Sequence, residues 1–534
     1  MKTVAEVLAS CLLESGIDTV YGLPGGETVE LLDALRHEGI RFVLVHRECA
    51  AAFMASASAR LTGRPSACLT TLGPGATNAV TGVAHAFLDR APILLLTAQT
   101  PERLLSCHTH QVVDLEALFK PITKTSFALT AQDTAEMVRH AITLASTGRP
   151  GPVHLRLSNE EAAWQVEAED RSVPSVTFAP THEHIEIAQD LISKSRRPLI
   201  LAGLGLEPER PYEELQRLAE SLRAPIIVTP KAKGAISDEH PLSAGTIGLT
   251  RTDPVYEVLE QADCVLAVGF DVVELVRPWE HPAPLIWLGK WTNRDPMLPV
   301  AVELLGAVKP VLERLSNCLA RSAKDWGEVR IAEHLKKHPR LEHATSGADL
   351  MTPQEVLRIL RERLPRDGVL TTDVGSHKIF SCLEWPAFTP NRFLVSNGLS
   401  SMGYGLPAAI AASLVLPDTP VVSLTGDAGL LMSLGELNTL ASLGAPVVVL
   451  VMKDHALDLI RSHQKRSGKQ TFGTEFSAPD FVKIAEAHGI PARCVSHHEA
   501  FDEALQWSLD VSGPTLIEAE IDPSTYPTTP REDS

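Results

Sequence analysis

The chain has 534 residues, of which 44% are hydrophobic and 21% charged, and a formal net charge of −18. That is the balance of a soluble globular protein too long for a single core. It excludes general nucleic-acid binding, which needs a basic surface to release phosphate counterions.

The first twenty residues carry Glu6, Glu14 and Asp18 where a signal peptide would be apolar. The longest apolar runs, such as Ala445–Met452, are strand-sized and far short of a membrane span. Eight cysteines include no Cys-x-x-Cys pair, so neither a disulfide framework nor a zinc site is suggested, and each reads as a small buried hydrophobe. The expectation is a cytoplasmic protein with no membrane or nucleic-acid partner.

In chain order, RFVLVH, SACLTT and PILLLTA read as strands, and ECAAAFMASASARLTG as a helical stretch rich in small residues. The acidic, proline-punctuated stretch Ser158–His184 reads as a linker. RRPLILAGLG, APIIVT and CVLAVGFD follow as strands, and His334–Pro353 reads as a second polar linker. GVLTTDVG, VVSLTGD and PVVVLVM are the strands of the last piece. Short apolar strands alternating with amphipathic helices mark parallel sheets. The expected fold class is therefore α/β, with three domains of parallel sheet flanked by helices over 1–158, 185–333 and 350–534.

The outer two pieces echo each other. TTLGPGATNAVTGVAHAFLDRAPILLLTA and SLTGDAGLLMSLGELNTLASLGAPVVVLVM both run strand, glycine turn, helix, Ala-Pro, apolar strand. In the second, Asp427 and Asp454 each follow a strand. Parallel strands bring their carboxyl ends to one edge of a sheet, so the two acids should stand side by side there. Beside them a helix opens near Ala428 and Gly429, and unpaired N–H groups at such a point favour an anion. The set suits a metal-bridged phosphate, because Mg²⁺ takes hard oxygen ligands and shares them with phosphates. The same residues also read as a plain Gly-Asp turn and a solvated loop.

Gly426-Asp427-Ala428, then 24 residues, then Lys453-Asp454, resembles the thiamine-diphosphate signature Gly-Asp-Gly … Asn-Asn. It departs from that signature at Ala428 and at Lys453-Asp454. GLPGGETVELLDAL, VHRECAAAFMASASARLTGRP and TTLGPGATNAVTGVAHAFLDRAPILLLTA resemble the pyrimidine-binding domain of acetolactate synthases. TDVGSHKIF and NGLSSMGYGLPAAIAASL resemble their diphosphate-binding domain. The chain is thus similar to the thiamine-diphosphate-dependent acetolactate synthase and 2-oxo acid decarboxylase family.

The resemblance implies a pyrimidine-binding, a central and a diphosphate-binding domain. It implies that Asp427, Asp454 and the backbone carbonyl of Ala456 hold Mg²⁺, and that the metal holds the diphosphate. Asp454 offers the same oxygen as asparagine with more negative charge. Glu48 matches the glutamate that hydrogen-bonds a ring nitrogen of the aminopyrimidine, which would make it the central catalytic residue; alone, it reads as a first-turn glutamate favoured by the helix dipole. The Ser400 carbonyl would accept from the pyrimidine amino group, and Met402 would bend the cofactor, where the bare residue suggests core packing. Ser376 and His377 match positions that touch the diphosphate, with Ala428 and Gly429 beside them. Gly25 and Gly73 would shape the other half of the site, and Asn78 would line it or merely cap its helix.

Gln111, in HTHQVVD, matches a position used near the reactive carbon. His108 and His110 flank it, with no third metal ligand at useful spacing. His110 stands in place of the family's usual aromatic. His463 stands where biosynthetic members place Trp and the catabolic form Gln, so both histidines are substrate-pocket candidates.

VLAVGFDVVE lacks a G-x-G-x-x-G, and LILAGLGL and VTPKAKGAI lack the glycine run of flavin-binding relatives. The expected cofactors are thiamine diphosphate and Mg²⁺, without FAD. The implied activity is a carboligase that decarboxylates a pyruvate-like 2-oxo acid and joins the enamine to a second carbonyl. The alternatives are a non-oxidative decarboxylase releasing an aldehyde and, beyond that, a catalytically silent paralogue. The family's pyrimidine-binding domain faces the diphosphate-binding domain of another subunit. Its implied partners are therefore small 2-oxo acids and further copies of itself, as a homodimer or homotetramer.

Overall fold

The computed structural model describes residues 1–107, 109–166, 179–250, 253–276, 281–318, 326–341 and 350–526. Its strands form three six-stranded sheets, each parallel throughout, and a short antiparallel pair of Lys2–Thr3 with Gln165–Val166. Sheets covered on both faces need continuously apolar strands rather than alternating ones. Ile93–Ala98 and Val447–Lys453, buried at every position, are of that kind.

The first sheet runs Arg41–Leu44, Thr19–Leu23, Ser66–Thr70, Ile93–Ala98, Val153–Leu157, Thr125–Ala128. The third runs Phe393–Val395, Val369–Thr372, Val421–Gly426, Val447–Lys453, Thr515–Glu520, Ala492–Val495. Numbered along the chain within each sheet, both have the order 2-1-3-4-6-5. The echo heard in the sequence is therefore an identity of wiring. The central sheet has the order 3-2-1-4-5-6, typical of dinucleotide-binding folds, with Pro198–Ala202 beside Cys264–Val268 at its middle.

By packing, the first sheet forms one compact unit with Gly398–Pro417 and Leu431–Ala445, and the central and third sheets share a second. Within the first unit, helix Glu48–Thr62 lies between helices Pro74–Leu88 and Gly405–Val415. Its small residues permit a close approach. A Cβ added to Gly82 would sit 2.6 Å from both the Ala52 Cβ and the Cys49 carbonyl oxygen. Phe53 fills the larger gap, its ring edge-on to His85 at 5.2 Å and to Tyr404 at 5.7 Å between centroids.

The two polar stretches expected as linkers are partly helical. Asn159–Ala162 is opened by a capping box of Ser158 and Glu161, and His182–Lys194 by the Thr181 side chain. His334 to Lys337 close helix Trp326–Lys337. Caps order the starts of the first two, and the buried apolar residues of His182–Lys194 and Trp326–Lys337 lie outside the polar stretches.

Candidate active site

In the third sheet the chain turns back across Val369–Thr372 to reach Val421–Gly426, and open α/β sheets bind ligands at the carboxyl ends of strands at such a crossing. The segments that leave those ends carry Asp373, Ser376, His377 and Asp427. Gly426 pairs in register with Met452, so Asp427 and Asp454 follow neighbouring strand ends, as their spacing predicts. Asp427 is only 2% exposed. Its Oδ1 accepts from the Ala428 N–H at 2.8 Å and its Oδ2 from the His455 N–H at 2.8 Å. The half-buried Asp454 accepts from the N–H of Ala456, itself buried, at 3.1 Å.

Burial holds the Asp427 carboxyl above the usual carboxylate range. Asp454 is pushed up to about 7, by burial first and then by Asp427. The Asp427 charge opposes ionisation of Asp454, and a hard divalent cation held by both would relieve it.

The rest of this half-site is pressed around that pair. The Ser376 hydroxyl donates to Asp458 at 3.0 Å, and Asp458 also pairs with Arg461 at 2.9 Å. A Cβ on Gly375 would lie 2.7 Å from Cε1 of the buried His377 ring, and one on Gly426 3.2 Å from it. Burial lowers the His377 pKa to about 4, so the ring is neutral at pH 7, and its buried Nε2 has no hydrogen-bond partner. Gly429 is as tightly held, since a Cβ there would come within 2.9 Å of Asp373 Oδ2. Of the residues the sequence proposed, Asp427, Ala428, Gly429, Asp454, Ala456, Ser376 and His377 thus fall together. His463 is exposed on helix Asp458–Arg466.

The first sheet has the same crossing between Thr19–Leu23 and Ser66–Thr70, and Gly25 and Gly73 follow those strands. Glu48 opens helix Glu48–Thr62 and is 4% exposed. The Asn78 amide donates to Glu48 Oε2 at 3.1 Å. Gly73 occupies the N-cap position of helix Pro74–Leu88, which leaves Asn78 a turn inside the helix as a partner of Glu48 and not as a cap. Gly73 has φ +53°, and a Cβ there would meet the Gln111 carbonyl oxygen at 2.6 Å. Only glycine lets the Gln111 backbone lie against this turn. Gln111 and His110 are exposed, and His108 lies outside the described residues. A Cβ on Gly25 would press on Thr71 and Glu27, whose side chains hydrogen-bond at 2.8 Å. Ser400, exposed with φ +53°, and the half-buried Met402 belong to the same compact unit as Glu48.

Sequence reasoning overlooked three buried acids, Asp373, Asp458 and Glu436. Glu436 accepts from the His46 N–H at 3.1 Å and from the Thr439 hydroxyl at 2.7 Å, and so fastens the turn that delivers Glu48. Burial pushes its carboxyl up to about 6. The available signal was an acid inside LGELNTLASL, a helical stretch with no other charge.

Residues 2–118 match the N-terminal TPP binding domain of thiamine pyrophosphate enzymes, 185–315 their central domain, and 373–519 their C-terminal TPP binding domain. The chain belongs to the thiamine pyrophosphate enzyme family. It is 32% identical to a probable acetolactate synthase large subunit of Methanococcus aeolicus, over 98% of this chain and 92% of that one. It is 30% identical to an acetolactate synthase of Bacillus subtilis (strain 168), over 97% and 93% of the two chains. It is 29% identical to the acetolactate synthase isozyme 3 large subunit of Escherichia coli (strain K12), over 96% and 92%. A solved structure, the Rhodococcus jostii RHA1 thiamine diphosphate-dependent 4-hydroxybenzoylformate decarboxylase, shares the fold with a TM-score of 0.86 at 24% identity, covering 98% of this chain and 99% of that one.

This thiamine pyrophosphate enzyme has residues that fit the diphosphate and a cation. Asp427, raised by burial, and Asp454, raised by burial and by Asp427, suit a divalent ion, and the buried, unpartnered Nε2 of His377 is a polar atom that a bound group carrying a proton would satisfy. The central sheet differs at its own crossing. There the Gly205 N–H donates to the Gly269 carbonyl at 2.6 Å, and a Cβ on Gly205 would meet the Trp291 ring at 2.6 Å. A Cβ on Gly203 would meet the Phe270 Cα at 2.5 Å. The loops there close on each other.

Proposed function

We propose that this enzyme is a carboligase of the acetolactate synthase kind, taking a pyruvate-like 2-oxo acid, removing its carboxylate as CO₂ and joining the remainder to a second carbonyl. The observation that carries the reading is Glu48, an acid buried at a helix start and hydrogen-bonded to Asn78. Full-length similarity to acetolactate synthases supports it. Bound thiamine diphosphate supplies the electron sink for loss of CO₂. The protein supplies placement.

Glu48 holds and moves a proton at a pyrimidine ring nitrogen, Asn78 directs its carboxylate, and Glu436 holds its turn. Asp427, Asp454 and the Ala456 carbonyl would hold Mg²⁺. Ser376, His377 and the Ala428 and Gly429 backbone would take the diphosphate. The Ser400 carbonyl and Met402 position the pyrimidine half, with Gly25 and Gly73 shaping the turns around it. Gln111, His110 and His463 border the substrates. In this reading 1–158 and 350–534 are the cofactor-binding domains and 185–333 the central one. Copies of the chain complete each other's sites in a cytoplasmic homodimer or homotetramer.

No FAD belongs to this assignment, in keeping with the missing glycine run in LILAGLGL and VTPKAKGAI. Among the described residues, no helix is long and apolar enough to cross a membrane.

The second reading is simple decarboxylation with release of an aldehyde. The exposed imidazoles of His110 and His463 favour it, because such a group can deliver a proton where a carboligase needs an acceptor. The deciding experiment supplies Mg²⁺, thiamine diphosphate and pyruvate and resolves acetolactate from acetaldehyde. Acetolactate is the expected product; acetaldehyde alone selects the second reading. Release of CO₂ only from other 2-oxo acids overturns the pyruvate assignment and keeps the cofactor.

A further inference from the structure

Away from the cofactor half-sites, the second compact unit carries another group of ligating side chains. Glu257 lies on helix Tyr256–Leu259, and His334 and His338 lie one turn apart at the end of helix Trp326–Lys337. One ligand atom from each of the three falls within 4.8 Å of the others. The two imidazole rings stand 5.1 Å apart between centroids, and His338 Nε2 is 3.6 Å from Glu257 Oε1. That is too far for a hydrogen bond.

The nitrogens are the informative atoms. His334 is 4% exposed, and its Nδ1 is buried with no hydrogen-bond partner; His338 Nε2 is likewise buried and unpartnered. Buried polar atoms are almost always satisfied, and two unsatisfied imidazole nitrogens beside a carboxylate ask for a shared partner. The i, i+4 spacing sets both rings on one face of a helix turn, and the carboxylate comes from a second helix.

We propose that Glu257, His334 and His338 form a binding site for a borderline transition-metal cation of the Zn²⁺ or Co²⁺ class. Imidazole with one carboxylate selects such ions over Mg²⁺, which prefers an all-oxygen shell such as the acids of the cofactor site offer. Ligand distances of about 2.0–2.1 Å require only modest rotation of the three side chains towards a common centre. The cation would pin helix Tyr256–Leu259 to helix Trp326–Lys337, a bracing role with no chemical step.

Two cations compete for the carboxylate. Lys337 Nζ lies 2.5 Å from Glu257 Oε1, and Arg330 lies 3.8 Å from Oε2. Lys337 is mostly exposed and its displacement costs little, as is usual for surface ion pairs. Arg330 also pairs with Glu333 at 3.4 Å, so it keeps a partner when Glu257 turns to the metal.

The test uses the full chain saturated with Mg²⁺ and thiamine diphosphate, so that the oxygen-rich site is filled, and titrates it with Co²⁺ while recording the visible d–d spectrum. One equivalent should give a band of imidazole-bound, low-coordinate Co²⁺. Affinity should fall more than tenfold in His338→Gln and in Glu257→Gln, both at half-buried positions where folding is easily verified by circular dichroism. Zn²⁺ should raise the thermal midpoint of the wild type and leave that of His338→Gln unchanged. No band in the wild type, or an equal band in both variants, overturns the site. Neither outcome touches the assignment of the cofactor-binding acids, which contain no imidazole.

Discussion

The Glu436 carboxylate accepts the backbone N–H of His46 at 3.1 Å, two residues ahead of Glu48. A glutamine there keeps one acceptor but turns an amide N–H₂ towards a pocket built for an anion. Glu436→Gln is expected to lower kcat by at least tenfold at unchanged thiamine diphosphate affinity, read by steady-state kinetics and cofactor titration. Glu436→Asp should recover part of that loss.

The same carboxyl gives a pH signature. Its pKa is about 6 in the fold against an ordinary 4.5, so between those values the folded protein binds more protons than the unfolded chain. Stability from this group is therefore lost as pH rises from about 4.5 to 6, by on the order of 2 kcal/mol. From pH 4.5 to 7 the denaturant midpoint of the wild type should move downward relative to that of Glu436→Gln.

Glu48→Gln preserves the shape and the contact with Asn78 while removing the transferable proton. Cofactor should bind normally and turnover should fall by two or more orders of magnitude. Near-normal turnover would remove Glu48 from its assigned role.

Asp454→Ala leaves Asp427 as a single acid at the paired strand ends. Thiamine diphosphate affinity at fixed Mg²⁺ should fall at least tenfold, and chelation of Mg²⁺ from the wild type should reproduce the loss. Isothermal titration with and without chelator checks both.

Gly82→Ala tests the packing beneath Glu48. The new methyl would meet Ala52 and Cys49 at 2.6 Å, which should cost about 1–3 kcal/mol and separate the two helices that carry Glu48 and Asn78. A lowered unfolding midpoint together with reduced turnover is the expected result.

The sheets were legible because glycine turns and apolar runs recur with the same spacing at both ends of the chain. Asp427 and Asp454 were legible because register between parallel strands is a local property. Glu436 was not, since the N–H it accepts lies 390 residues away and no local pattern announces it. Asn78 was ambiguous until Gly73 was seen in the capping position. Strand ends overran in RRPLILAGLG because its turn residues are as apolar as the strand itself. The expected linkers overlap the polar ends of helices His182–Lys194 and Trp326–Lys337, while the apolar residues that dock those helices, Ile185, Ala188, Ile192 and Ile331, lie outside the two stretches.

The central sheet carries nucleotide-fold wiring, and two glycine turns meet at its crossing. The Gly205 and Gly269 turns interlock backbone to backbone, and the Trp291 ring abuts one of them. Any side chain added at Gly205 or Gly269 would have to displace main chain, so both positions are expected to resist every larger residue.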